Sequence, residues 1–136
     1  MFLNDQWYVA AWSQDVGREM IARVLLDEDV VLYRCQDGSP VALENRCPHR
    51  NLPLSQGRLN GDSVTCGYHG LVFDCDGLCT HVPGEAKVPD WARVRGYPVV
   101  ERDQRVFVWM GDPAVAHAAA IPEFYRQIND TDWHFV

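Results

Sequence analysis

Turn-forming residues punctuate this chain so densely that no helix of ordinary length fits ahead of Ala114. Gln36-Asp37-Gly38-Ser39, Asn60-Gly61 and Cys75-Asp76-Gly77 each interrupt short β-branched or aromatic runs, the signature of antiparallel strands joined by hairpins. The runs predicted as strands are Trp7–Ala11, Ile21–Leu26, Asp29–Arg34, Val41–Glu44, Arg58-Leu59, Ser63–Thr65, Leu71–Asp74 and Leu78–His81. Tyr97–Val100 and Arg105–Trp109 follow as a last hairpin around Arg102-Asp103-Gln104. Ala114–Ala120 is the one alanine-rich stretch and is too short to be stable as an isolated helix. The expectation is a small antiparallel all-β domain over residues 1–112, followed by a linker-like segment over 113–136. Trp133–Val136 reads as a strand with no partner inside the chain, so that end reads as cut.

With 136 residues, 47% of them apolar and 23% charged, the chain can build one real core. Its net charge of −7 excludes a nucleic-acid binder, which needs basic surface to neutralise phosphates. No apolar run approaches bilayer length, so no membrane partner is expected. The Trp7–Trp12 patch follows Asn4 and Asp5 without a basic flank and is not a secretory signal. Five unevenly spaced cysteines, without such a signal, favour a reducing cytoplasm and metal ligation over a disulfide framework.

Two segments carry the chemistry. Cys47-Pro48-His49 and Cys66-Gly67-Tyr68-His69 each offer one sulfur and one nitrogen donor, and the 16 residues between His49 and Cys66 allow a hairpin that returns both loops to one end. Structural zinc sites usually pair cysteine with cysteine and histidine with histidine. Here each loop mixes the two, as a two-iron cluster requires when one iron takes both thiolates and the other both imidazoles. A [2Fe–2S] cluster moving single electrons is therefore the leading reading, with a structural zinc module as its rival. Gly67 and Gly70 permit tight backbone around a ligand, Asn51 tolerates a left-handed backbone, and Pro48 and Pro53 stiffen the first loop. Imidazole in place of thiolate raises the potential above that of an all-cysteine cluster, and the second ring nitrogens couple it to pH.

The strings C-P-H-R-N-L-P-L-S and C-G-Y-H-G-L-V-F-D resemble the Rieske domain of the Rieske non-haem iron oxygenases, as do N-D-Q-W-Y-V-A-A-W, Y-P-V-V-E-R and V-F-V-W-M-G-D-P. The resemblance covers residues 2–124 and looks closest to the oxygenase components of vanillate O-demethylase, dicamba monooxygenase and toluenesulfonate methyl-monooxygenase. It implies that Cys47 and Cys66 ligate an inner iron, and His49 and His69 an outer, solvent-facing one. Leu52 and Tyr68 stand where the respiratory type of Rieske protein has an extra disulfide, which implies the lower-potential oxygenase type. Asn51 stands where the family more often has glycine. The family's catalytic domain holds a mononuclear Fe(II) through two histidines and a carboxylate, and His81, His117 and His134 are too far apart to supply that pattern. Residues 113–136 then lead into a catalytic domain absent from the chain. The implied function is relay of electrons from an NAD(P)H-dependent flavin/[2Fe–2S] reductase to a mononuclear iron that hydroxylates or demethylates an aromatic compound. The receiving iron usually lies in a neighbouring subunit of a homotrimer. A free-standing Rieske-type ferredoxin is the alternative.

Other residues read as structural. Cys35, Cys75 and Cys79 are expected to pack as small hydrophobes, and His81 and His117 to be ordinary loop residues. Trp7, Trp12, Trp91 and Trp109 read as core or edge aromatics, with Trp109 in the core. Arg50 suits either a salt bridge or a redox partner, and Tyr68 either packs over the site or hydrogen-bonds near a cluster sulfur.

Overall fold

The computed structural model describes residues 3–121, so Trp133–Val136 lies outside the described residues. In chain order the strands are β1 (Gln6–Trp12), β2 (Ile21–Leu25), β3 (Glu28–Arg34), β4 (Pro40–Glu44), β5 (Arg58–Asn60), β6 (Ser63–Thr65), β7 (Val72–Phe73), β8 (Cys79–His81), β9 (Gly96–Tyr97), β10 (Val99–Arg102) and β11 (Arg105–Met110). The alanine-rich stretch forms only two 3-10 turns, Pro113–Val115 and Ala118–Ala120. No helix among the described residues is long and apolar enough to cross a membrane.

The strands make three antiparallel sheets, ordered β1-β11-β10, β2-β3-β4-β9 and β5-β6-β7-β8. The second is the middle layer, and the sequence of β3 shows why. Val30, Val31, Leu32 and Tyr33 form an unbroken apolar run, and all four are fully buried. Period-2 alternation sends Val31 and Tyr33 into one core and Val30 and Leu32 into the other. In β4, Val41 and Leu43 join the first core and Ala42 the second. The first core underlies the third sheet, which carries both Cys/His loops.

Two hairpins turn without glycine. Leu26-Asp27 (φ 50° and 62°) joins β2 to β3, and Asp103-Gln104 (φ 52° and 61°) joins β10 to β11. Left-handed backbone at both central positions matches the twist of the flanking strands. Tyr97–Val100, expected as one strand, is split at Pro98, which has no N–H to continue a ladder. Tyr97 pairs with Ala42 in the middle sheet, whereas Val99 pairs with Val108 in the first.

Because β4 and β9 are hydrogen-bonded neighbours, everything from 45 to 95 is an excursion between adjacent strands. Its ends meet where Glu44 N–H donates to Arg95 O at 2.8 Å. Its far turn is tied down by the Tyr33 hydroxyl, which donates to Asp62 O (3.1 Å), and by Arg18 Nη2, which donates to Gly61 O (2.6 Å). Arg34 and Glu101 form an ion pair linking the middle sheet to β10.

Candidate metal centre

The two loops repeat one backbone device. In the first, Cys47 N–H donates to Leu52 O (2.8 Å) and Asn51 N–H donates to Cys47 O (2.7 Å). In the second, Cys66 N–H donates to Leu71 O (2.8 Å) and Gly70 N–H donates to Cys66 O (3.2 Å). Each loop thus closes on its own cysteine four residues later, at a residue with positive φ: Asn51 at 60° and Gly70 at 79°. Asparagine is among the few side chains that accept this conformation readily, which accounts for its presence in place of glycine. Gly67 answers a different need. A Cβ there would lie 3.1 Å from Gln56 O, because the second loop passes directly over the exit of the first.

Asn45 anchors the first loop at both ends. It is the one buried polar side chain among the described residues. Its Nδ2 donates to Ser55 Oγ (3.0 Å), its Oδ1 accepts from Ser55 N–H (2.8 Å), and its own N–H donates to Asp29 O (2.9 Å). Below the loops lie Leu54, Val64, Leu71 and Phe73, all buried.

The four predicted donors converge in two pairs. Cys47 and Cys66 are 1% and 3% exposed, and the two thiols are close neighbours. Burial pushes the Cys47 thiol up to about 11; backbone N–H groups of His49 and Arg50 act against this, and the Cys66 thiol adds to it. A metal must displace those protons, and the N–H groups stand ready to stabilise sulfur once it is anionic. His49 and His69 are both exposed. Their Nδ1 atoms face each other at 2.8 Å, with ring centres 4.6 Å apart and planes inclined by 70°.

This two-and-two grouping fits a diiron group. A pair of thiols inside and a pair of imidazoles outside match two irons with different ligands.

The remaining residues divide. Trp109 is buried as expected, and Trp7 is half-buried against its ring (5.3 Å). Trp12 and Trp91 are exposed and are not core aromatics. Trp12 lies under the Arg105 guanidinium (5.0 Å), and Trp91 stacks on His49. Tyr68 lies over His69, ring centres 3.9 Å apart, so it covers the site. Arg50 is exposed and makes no ion pair with another described residue. Cys35 and Cys79 are buried, but Cys75 is exposed in the β7–β8 turn, beside Cys35. His81 ends β8, exposed; the carbonyl of exposed His117 accepts from Trp7 Nε1 (2.9 Å). Asn45 and Trp91 escape a search for ligand spacing, because both act through tertiary contacts.

Comparisons with known proteins point the same way. The profile of the Rieske [2Fe–2S] domain matches residues 6–98. The chain is 46% identical over 135 residues to the toluene-4-sulfonate monooxygenase system iron–sulfur subunit of Comamonas testosteroni, covering 98% of this chain and 37% of that protein. It is 45% identical over 129 residues to the oxygenase component of dicamba O-demethylase from Stenotrophomonas maltophilia, covering 94% of this chain and 38% of that one. The crystal structure of apo dicamba monooxygenase superposes with a TM-score of 0.87 at 45% identity, over 90% of this chain and 38% of the other. The chain therefore spans well under half the length of these relatives.

Proposed function

The chain belongs to the Rieske [2Fe–2S] domain family, as found in the iron–sulfur components of oxygenases, and from that premise we propose that Cys47 and Cys66 ligate the inner iron of the cluster and His49 and His69 the outer one. The observation that carries this assignment is the grouping of a buried thiol pair with an exposed imidazole pair. When bound, the cluster supplies one-electron transfer at a potential above that of an all-cysteine cluster.

The chain's own residues give that chemistry a direction. The core around Leu54, Val64, Leu71 and Phe73 keeps water from the thiolate side. The exposed imidazoles put the route for electrons at the surface. Each loop closes on its own cysteine through backbone hydrogen bonds and carries one thiol and one imidazole, so the inner and outer pairs are built on the same two loops.

Within the whole protein the reading is an electron relay. A reductase using NAD(P)H, a flavin and a second [2Fe–2S] centre delivers electrons, and a mononuclear non-haem iron in a catalytic domain of a neighbouring subunit receives them. An aromatic compound is then hydroxylated or demethylated, as the names of the relatives suggest. We place the boundary of the Rieske unit at residue 112. Its support is the pairing of β11 with both β1 and β10, which keeps residues up to Met110 in the same sheet. Residues 113–136 then lead toward the catalytic domain. The reading also carries a reducing compartment, the cytoplasm, in which ligand thiols stay available.

The test is elemental and spectroscopic. The chain, loaded with iron and sulfide without oxygen, should be red-brown and hold iron and acid-labile sulfide in equal amounts. Cys66→Ala should abolish both. Zinc without labile sulfide in the wild-type chain, or full iron and sulfide in Cys66→Ala, would overturn the assignment.

A further inference from the structure

Residues 82–95 return from β8 to β9, and Trp91 stands near the end of this run, 52% exposed. A single exposed aromatic is unremarkable in itself. Its placement is not. The indole lies on the His49 imidazole with ring centres 6.2 Å apart and planes 19° from parallel, an offset stack. Backbone hydrogen bonds fix the point from which the side chain departs. Ala92 N–H donates to Pro89 O (3.0 Å) and Arg93 N–H donates to Trp91 O (2.9 Å), closing tight turns around the residue. Ala92 O accepts from Cys79 N–H (3.2 Å) and Arg93 pairs with Leu78, so the run is stitched to the cluster sheet. Ala92 and Val94 are buried in the same core as Cys47 and Cys66, and the alternation turns Trp91 outward beside His49.

We propose that Trp91 is a positioning residue for the outer half of the site: its ring flanks one face of His49, biases the plane of that imidazole and lowers the reduction potential. This rests on the ligand assignment above. With two thiolates and two neutral imidazoles as ligands, a pair of ferric irons bridged by two sulfides has no net charge, and one added electron leaves it singly negative. A ring that keeps water from part of one face of His49, otherwise exposed, disfavours the charged form. The negative face of the indole disfavours added negative charge as well. The two effects have the same sign. Tyr68 does not duplicate the role, because its ring lies on His69.

The experiment compares the chain with Trp91→Ala, Trp91→Phe and Trp91→Leu, each loaded with iron and sulfide, by film voltammetry beside iron and sulfide analysis. Trp91→Ala is expected to move the electron equilibrium about three- to tenfold toward the reduced form, roughly 30–60 mV upward at 59 mV per tenfold. Metal and sulfide content should not change. Phenylalanine should restore most of the shift, and leucine, which excludes water without a π face, only part of it. An equilibrium for Trp91→Ala within about 1.5-fold of wild type overturns the proposal. So does leucine restoring the potential as fully as phenylalanine, a comparison that decides alone if the alanine variant fails to hold the cluster. These results leave the ligand assignment standing, whereas a wild-type chain that takes up no iron and sulfide overturns the assignment and this proposal together.

Discussion

Gly57 leaves the first cluster loop under strand β6, and replacing it with alanine tests how tightly the two loops are pressed together. Its backbone (φ −86°, ψ −153°) is extended and open to alanine, so any penalty comes from contact. A Cβ would sit 2.1 Å from Thr65 O, 3.1 Å from Thr65 C and 3.1 Å from Leu54 O, all backbone atoms. Reaching an ordinary contact of 3.4 Å requires a displacement of more than 1 Å. No side chain can rotate away to supply it, and Gly67 closes the other side, its Cβ position 3.6 Å from Gly57 Cα. The displacement must come from opening the Arg58–Thr65 pair, one residue before Cys66. Overpacking of this kind costs about 3 kcal/mol, at the upper end of its usual range. For a chain of this size that corresponds to a fall of about 10 °C in melting temperature. Thermal unfolding followed by circular dichroism, with iron content after loading, measures both the fold and the site. Gly17→Ala, where nothing lies within 4 Å of the added carbon, is the control and should melt within about 2 °C of wild type. A Gly57→Ala chain that melts within about 3 °C of wild type with full iron content would refute the close-packing argument.

Other outcomes follow from the same geometry. His69→Cys should keep a cluster but lower its potential, because a thiolate adds negative charge; a rise in film voltammetry would contradict the ligand role. Leu54→Ala, at a fully buried position beneath both loops, should cost about 3 kcal/mol in urea unfolding, and a loss under about 1 kcal/mol would mean that the core there collapses readily. The Arg34 hydrogen bond holds the Glu101 carboxyl below its ordinary range. A depressed folded value gives stability that is present above the ordinary carboxylate range and lost as pH falls through the folded value. Glu101→Gln should therefore weaken the fold at pH 7 by about 1 kcal/mol or less, since the pair is partly exposed, with the difference closing toward pH 3. A difference that persists unchanged in acid would show that the ion pair is not its cause.

The convergence of Cys47, His49, Cys66 and His69 is legible because cysteine and histidine at mixed spacing leave few chemical uses, and the glycine-marked hairpins because their turns require particular residues. The hairpin around Asp103-Gln104 is legible from its flanking strands, but the left-handed backbone at Leu26 and Gln104 is harder to read, since leucine and glutamine carry no strong signal for it. The break at Pro98 could be read as a lost hydrogen bond, but not as a transfer between sheets, which depends on what lies beside the chain. Cys75 was expected to pack in its hairpin, yet the turn carries it outward and only Cys79 reaches the core. Asn45 and Trp91 draw their roles from Ser55 and His49, neighbours that sequence spacing does not reveal.

The neighbouring positions of β4 and β9 mean that the iron-binding half of the protein was spliced, topologically, into what would otherwise be a plain hairpin. Joining Glu44 to Gly96 through a short connection would delete that half without breaking one rung of the ladder between the two strands. The deletion would nonetheless strip the cover from Val31, Tyr33 and Leu43, each fully buried in the intact molecule. The graft is cleanly separable along the chain and welded in place by oil. A scaffold stripped of it would be a sticky sheet, and transplanting the redox unit to another host means transplanting the floor of β3 and β4 as well.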